Sequence, residues 1–348
     1  MQINRRTILL GVGGALAAPH VVTSARAQAQ VTLKLHHFLP AASNAQRDWF
    51  LPWAEKVGKE SAGRIKVEVY PSMQLGGRPP QLFDQAKDGV VDIVWTLAGN
   101  TPGRFPRLEV FELPFVSGAT GEVSSRAVWD YYEANSKDEL KDIKPLAVFC
   151  HGKGNIYTKD KVIKTPDDLK NVKIRVPSRP INDSLQLIGA SPQGIPAPGV
   201  PEALAKGVVD GVVMPYEIVP ALKLDELTNR VSIFSGDRSL YTIVFLFAMN
   251  KPKYDSLPAD LKKVIDDNSG GDFSRQLGRY FDEWDKIGKA AVEKAKMPEY
   301  LISGAELDAW KKATDPVVKA WVETRTKAGD NGADLLAQAQ KLITKYSA

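Results

Sequence analysis

Thr165-Pro166-Asp167-Asp168-Leu169-Lys170-Asn171-Val172-Lys173-Ile174-Arg175-Val176-Pro177-Ser178-Arg179 is the stretch from which the rest of the chain is read. Thr165, Pro166 and Asp168 stand in capping-box order: a hydroxyl at the N-cap, Pro at the first helical position, a carboxylate at the third. A single helical turn is therefore expected, followed by Val172–Val176, where apolar and polar side chains alternate as on a strand. Arg175 falls on the polar phase near the strand's end, since Pro177 cannot continue a central ladder. A guanidinium on a rigid strand end can grip a carboxylate through two parallel hydrogen bonds, or make an ordinary surface salt bridge.

Upstream, the pattern repeats strand, helix, strand. Val31, Leu33 and Leu35 alternate with polar residues and lead into Phe38. Ser43 and Asn44 can cap a helix bearing Trp49, Trp53 and Val57, in which Pro52 predicts a kink or an early stop. Ile65–Tyr70 reads as a strand, a short helix ends at Lys87, and Gly89–Trp95 reads as the next strand. Five alternating elements in so short a span indicate parallel βαβ units.

Downstream the same grammar returns, with a strand at Ser191–Ile195, a helix at Val200–Lys206 and a strand at Gly207–Met214. Gly-Val-Val-Asp occurs at 89–92 and again at 207–210, each time at a helix-to-strand junction where Gly ends the helix. Two lobes on one scheme follow. Between them Trp129–Glu133 reads as helix and Leu146–Cys150 as strand. Gly152–Thr158 is a crossing into the second lobe, and Leu240–Asn250 a return crossing. Further on, Phe273, Leu277, Phe281, Trp284 and Ile287 make a helical stripe expected in the core. Gly270-Gly271 breaks or bends that segment, and Ser303 with Glu306 forms another capping box.

The 348 residues suffice for two lobes with a large core. The net charge is +5, but residues 1–27 hold Arg5, Arg6, Arg26 and no acid, so without them +2 remains. No basic run stands out, and no nucleic-acid partner is implied. Arg5-Arg6 precede an apolar Gly/Ala-rich run, and Ala25-Arg26-Ala27 offers a cleavage site. Residues 1–27 thus read as a twin-arginine export signal, too broken by glycine for a membrane span. Periplasmic localisation is the expectation, for a chain that does not itself span the membrane. Cys150 is the single cysteine, so no intramolecular disulfide forms, and it reads as a buried structural thiol.

No phosphate-binding loop, nucleophile elbow, His-Glu-x-x-His or Cys-x-x-Cys occurs. His36 and His37 are adjacent, and His151 lacks an evident partner, so no metal site, catalytic group or cofactor is expected. The residues describe an exported, two-lobed α/β protein without a catalytic constellation, which suits a hinged binding protein.

The mature chain also resembles, over nearly its whole length, the DctP-type solute-binding proteins of tripartite ATP-independent periplasmic (TRAP) transporters. The resemblance is carried by Gly63-Arg-Ile-Lys-Val-Glu-Val-Tyr-Pro71, Gln74-Leu-Gly-Gly77, Asp92-Ile-Val-Trp95, Leu113-Pro-Phe115, Leu169–Pro177, Gly189-Ala-Ser-Pro192 and Ala205–Gly211, in that order. It implies two lobes of mixed sheets flanked by helices, with hinge strands and a long helix bridging them. The expected division is 28–151 plus 241–280 for lobe I, and 152–240 plus 281–348, with the C-terminal helices, for lobe II. It further implies an organic-acid ligand delivered to a permease of small and large membrane subunits.

In that family the arginine of the K-x-R-V-P segment binds the ligand carboxylate, a position held here by Arg175. Asn155, on the strand entering lobe two, is the implied second polar group on the same carboxylate. Strand ends put Phe38, Trp95, Leu97 and Met214 along the crevice, with Tyr216 nearby. Arg179 either adds a second cation or faces solvent. Apolar walls around one anion clamp favour an aromatic or hydrophobic monocarboxylate, such as an aryl 2-oxo or 2-hydroxy acid. A small 2-oxo acid or dicarboxylate on the same scaffold, or an exported hydrolase or lyase, are the alternatives. Members that hold 2-oxo acids through a metal use carboxylate and amide ligands after Gly-Val-Val-Asp, and Val212, Val213 and Met214 do not match.

Overall fold

The computed structural model describes residues 31–348, and the export signal read at 1–27 lies outside them. Eleven strands are found among these residues: β1 (Val31–His36), β2 (Ile65–Tyr70), β3 (Ile93–Leu97), β4 (Ile143–Cys150), β5 (Asn155–Thr158), β6 (Lys173–Val176), β7 (Ser191–Gly194), β8 (Gly211–Met214), β9 (Arg230–Phe234), β10 (Val244–Asn250) and β11 (Glu299–Ile302). They form two sheets, ordered β2-β1-β3-β10-β4 and β11-β9-β5-β8-β6-β7. Each sheet has parallel pairs from βαβ units, β1 with β2 and β3 in one, β6 with β7 and β8 in the other. The strand delivered by each crossing, β5 going out and β10 coming back, is antiparallel to both of its neighbours. Both sheets are therefore mixed, and the crossings are short because an antiparallel entry needs no long connection.

The two Gly-Val-Val-Asp copies do the same work. Gly89 and Gly207 take positive φ, 75° and 68°, which end the preceding helices at little steric cost. Asp92 then accepts a hydrogen bond from Lys34 N (2.8 Å) in β1, and Asp210 accepts one from Lys173 N (3.1 Å) in β6. Ladder pairing begins only after that anchor, so β3 and β8 start later than the residue pattern suggests. The capping box at Thr165 forms as expected, with Thr165 N donating to Asp168 at 2.9 Å ahead of one turn, Pro166–Leu169.

Three expectations are corrected. Pro52 neither stops nor visibly ends its helix; a π-helical turn, Ala45–Phe50, runs directly into the helix Leu51–Glu60. The change from π to α hydrogen bonding at this point accommodates the missing N–H of Pro52, and Trp49, Trp53 and Val57 stay buried. Ser303 does begin the helix Gly304–Lys327, but no capping box forms, because Glu306 accepts from Tyr300 Oη at 2.7 Å instead. Ile287 is 47% exposed. The helix Gly271–Lys294 turns Gly288 rather than Ile287 to its partner, since a Cβ at Gly288 would lie 1.8 Å from the Tyr216 carbonyl oxygen.

That helix touches both lobes. Asp282 accepts from Gly121 N (2.6 Å) and Glu122 N (2.9 Å), at the start of the first-lobe helix Gly121–Asn135. One turn on, Asp285 accepts from Glu217 N (2.8 Å), just after β8 in the second lobe. The carboxylates offset the partial positive charge of the exposed N–H groups they meet. Between helix and first sheet lies an aromatic core in which Trp49, Trp95, Phe149, Phe245 and Phe281 pack with ring centroids 5.1–6.3 Å apart.

Candidate ligand-binding site

Arg175 sits on β6 between Val212 of β8 and Gln193 of β7, and it is 2% exposed. Nε donates to Ile195 O at 2.7 Å, and Nη1 donates to Val213 O at 3.3 Å and to Met214 Sδ at 3.4 Å. None of these bonds uses Nη2, and no carboxylate pairs with the guanidinium among the described residues. Burial pushes its pKa down to about 10, so it remains a cation at neutral pH. A buried charge with only carbonyls and a thioether for company is costly, and an incoming carboxylate relieves that cost. Sulfur is a weak acceptor, so the Nη1 hydrogen bonded to Met214 is readily exchanged for a carboxylate oxygen while Nη2 donates to the other.

The guanidinium faces a cavity of about 40 Å3, whose wall includes Phe38, Trp95, Leu97, Met214, Ile243 and Phe245. A space of that size holds no more than a few waters, so an organic ligand enters only as the wall side chains shift or the lobes part. Phe38 stacks on Trp95 at 4.7 Å, and Phe245 lies against Trp95 at 5.1 Å. Four residues anticipated from the sequence, Phe38, Trp95, Leu97 and Met214, thus meet Arg175 here.

Three polar residues of the wall were not anticipated: His151, Glu217 and Tyr241. Each is buried. His151 Nδ1 donates to Gly152 O at 2.7 Å, and burial together with the Arg175 charge lowers the imidazole pKa to about 4. Burial raises the Tyr241 phenol above its ordinary range, and burial with the nearby Asp285 does the same to the Glu217 carboxyl, so both favour their neutral, hydrogen-donating forms. The side-chain polar ends of His151 (Nε2) and Tyr241 (Oη) have no partner. Tyr241 stands on the return crossing and His151 immediately before the outward one, and that position was the one available signal.

Three other anticipated residues lie off this wall. Asn155 opens β5 opposite Met214, buried and with Nδ2 unpartnered, but it is not among the residues that line the cavity. Tyr216 turns outward, its hydroxyl bonded to Glu299 of β11, because Pro215 ends β8 and starts a helical turn. Arg179 begins the helix Arg179–Leu187 and pairs with Glu109 rather than facing the cavity. A broader depression, about 750 Å3 and open to solvent, lies over Leu113, Leu187 and Trp321, but its arginines, Arg179 and Arg325, are already paired with Glu109 and Asp330. Among the described residues no group of three or more His, Cys, Asp or Glu is arranged to hold a metal. No helix there is long and apolar enough to cross a membrane.

Known proteins share this fold. Residues 35–324 match the family model for DctP, described as bacterial extracellular solute-binding protein, family 7. A marine metagenome TRAP solute-binding protein specific for aromatic acid ligands, solved with 3-hydroxybenzoate, is 48% identical, with 92% of this chain and 100% of that one covered and a TM-score of 0.90. One from Rhodoferax ferrireducens, with copurified benzoate, is 48% identical over 91% of this chain and 99% of that one, with a TM-score of 0.89. Another from Bordetella bronchiseptica, with bound (R)- and (S)-mandelate, is 29% identical over 90% and 99%, with a TM-score of 0.83. With its two mixed sheets, its crossing strands and an arginine at the K-x-R-V-P position, the chain belongs to the DctP family, the extracellular solute-binding proteins that serve TRAP transporters.

Proposed function

We propose that this protein captures an aromatic monocarboxylate between its lobes, with Arg175 as the anion anchor and Phe38, Trp95, Leu97, Met214 and Phe245 as the ring wall. The observation that carries this reading is a buried, unpaired guanidinium opening onto a small, aromatic-lined space. Solved relatives at 48% identity hold 3-hydroxybenzoate and benzoate, which supports the same ligand class here. Asn155 would lend its free amide to the carboxylate from behind Met214 if that side chain shifts on binding.

The protein acts as a carrier and releases its ligand unchanged. It works in the periplasm after export by the twin-arginine route, and hands the acid to a permease of small and large membrane subunits. The lobes divide near 28–151 plus 241–280, and 152–240 plus 281–348. Thermal-shift and calorimetric titration with benzoate, phenylacetate, mandelate, pyruvate and succinate test the ligand class. Arylcarboxylates are expected to bind at least about tenfold more tightly than the small polar acids. Preference for pyruvate or succinate would overturn the reading, and conversion of the bound acid, followed by mass spectrometry, would overturn the carrier role.

A further inference from the structure

Of the polar side chains that line the cavity, His151 has the most restrictive chemistry. Nδ1 faces the Gly152 carbonyl oxygen at 2.7 Å, and a carbonyl only accepts, so Nδ1 carries the ring proton. The ring is 1% exposed and stands near the Arg175 cation, and both conditions disfavour a second proton. Nε2 is then a bare lone pair, buried and without a partner. Buried acceptors left unpaired are rare enough that each calls for a physical account.

A carboxylate cannot satisfy this atom, because an ionised carboxylate also only accepts. The anion is directed to Arg175 Nη2 and to the Tyr241 hydroxyl, which lies in the same wall with no partner of its own. What Nε2 lacks is an O–H or N–H donor, on a body that fits against Phe38, Trp95 and Phe245. The Tyr241 ring meets the imidazole edge-on at 5.5 Å, which fixes the ring's orientation.

We infer that His151 is a specificity-determining residue whose Nε2 accepts a hydrogen bond from a hydroxyl on the ligand, so that the preferred ligands are hydroxylated arylcarboxylates. The inference rests on the arylcarboxylate reading of the site and adds to it a second point of recognition. One neutral hydrogen bond to an otherwise orphaned buried acceptor corresponds to about tenfold in affinity.

The test compares benzoate with its three monohydroxy isomers and with 3-fluorobenzoate, and phenylacetate with mandelate, by calorimetry on wild type and His151→Phe. In wild type at least one hydroxylated acid is expected to bind about tenfold more tightly than its parent, and the fluoro analogue no more tightly. In His151→Phe the ratio of hydroxylated-acid to parent-acid affinity falls to about one, whatever the affinity of the parent acid itself. A hydroxyl gain that persists in His151→Phe, or no gain for any hydroxylated acid in wild type, overturns the inference and leaves the arylcarboxylate reading intact. Failure of every arylcarboxylate to bind overturns both. Nitrogen NMR of the wild-type imidazole removes dependence on the variant's folding: an unprotonated Nε2 is expected, shifting when the hydroxylated acid binds and not when benzoate does. A protonated Nε2 in the free protein would refute it.

Discussion

Glu109 of the first lobe and Arg179 of the second form an ion pair across the two lobes, the carboxylate side chain 6% exposed and the guanidinium 44% exposed. The pair lies outside the Arg175 cavity and ties the two lobes together. Because the guanidinium is well solvated, the contribution is small, about 0.5–1 kcal/mol. Arg179→Ala is expected to speed ligand release about two- to fivefold in stopped-flow measurements, with a smaller difference at high salt. An unchanged release rate would show that the pair does not hold the lobes together.

Arg175→Ala is expected to lower affinity for benzoate or its hydroxylated forms by about a hundredfold to several thousandfold, or about 3–5 kcal/mol. The same substitution leaves the ligand-free protein as stable as before or more so, because an uncompensated buried cation has gone. Calorimetry and ligand-free melting curves read the two effects separately. Affinity within about threefold of wild type would refute the anchor. A collapse of ligand-free stability would mean that the guanidinium chiefly holds Ile195 O and Val213 O in place.

Gly154→Ala tests the Tyr241 side of the cavity. A Cβ at this position would lie 1.8 Å from Tyr241 Cε1, so the ring must move. Overpacking of this kind costs about 1–3 kcal/mol, and displacement of the hydroxyl weakens carboxylate binding as well. Both melting temperature and affinity should fall. If neither changes, the ring has room to shift and Tyr241 Oη is not a ligand contact.

Glu112 provides a pH test. It is buried, accepts from Val244 N at 3.0 Å, and burial raises its pKa from 4.5 to about 7. A carboxyl raised in the folded state stabilises the fold fully below its unfolded pKa, and that contribution is lost as pH rises from about 4.5 through about 7. Glu112→Gln mimics the protonated form. Its stability advantage over wild type should be near zero at pH 4 and grow to roughly 2–3 kcal/mol by pH 8. Chemical denaturation at several pH values checks this, and a difference that stays flat with pH would place the raised pKa elsewhere.

Much of the scaffold was legible because local chemistry and tertiary context agree. The capping box at Thr165, the alternation in β2 and the doubled Gly-Val-Val-Asp each satisfy backbone groups in place. The cavity residues recovered from the sequence, Phe38, Trp95, Leu97, Arg175 and Met214, lie on or beside strand ends, where period-two reasoning applies. It fails just beyond a proline. Pro177 and Pro215 each end a strand and begin a helical turn, which rotates Arg179 and Tyr216 away from the strand's face. His151, Glu217 and Tyr241 were missed for another reason. What marks them is a lack of partners or a perturbed proton, which becomes apparent only when segments far apart in sequence are brought together.

Asp282 and Asp285 are one helical turn apart, yet one holds backbone of the first lobe and the other backbone of the second. Such a fastening leaves the halves almost no lever arm there, whereas the Glu109–Arg179 pair joins them through other elements. Rotation about that pin would part each contact between the halves in proportion to its distance from the two aspartates. The molecule then behaves like tongs: the grip is decided at the tips, and the pivot can stay tight throughout.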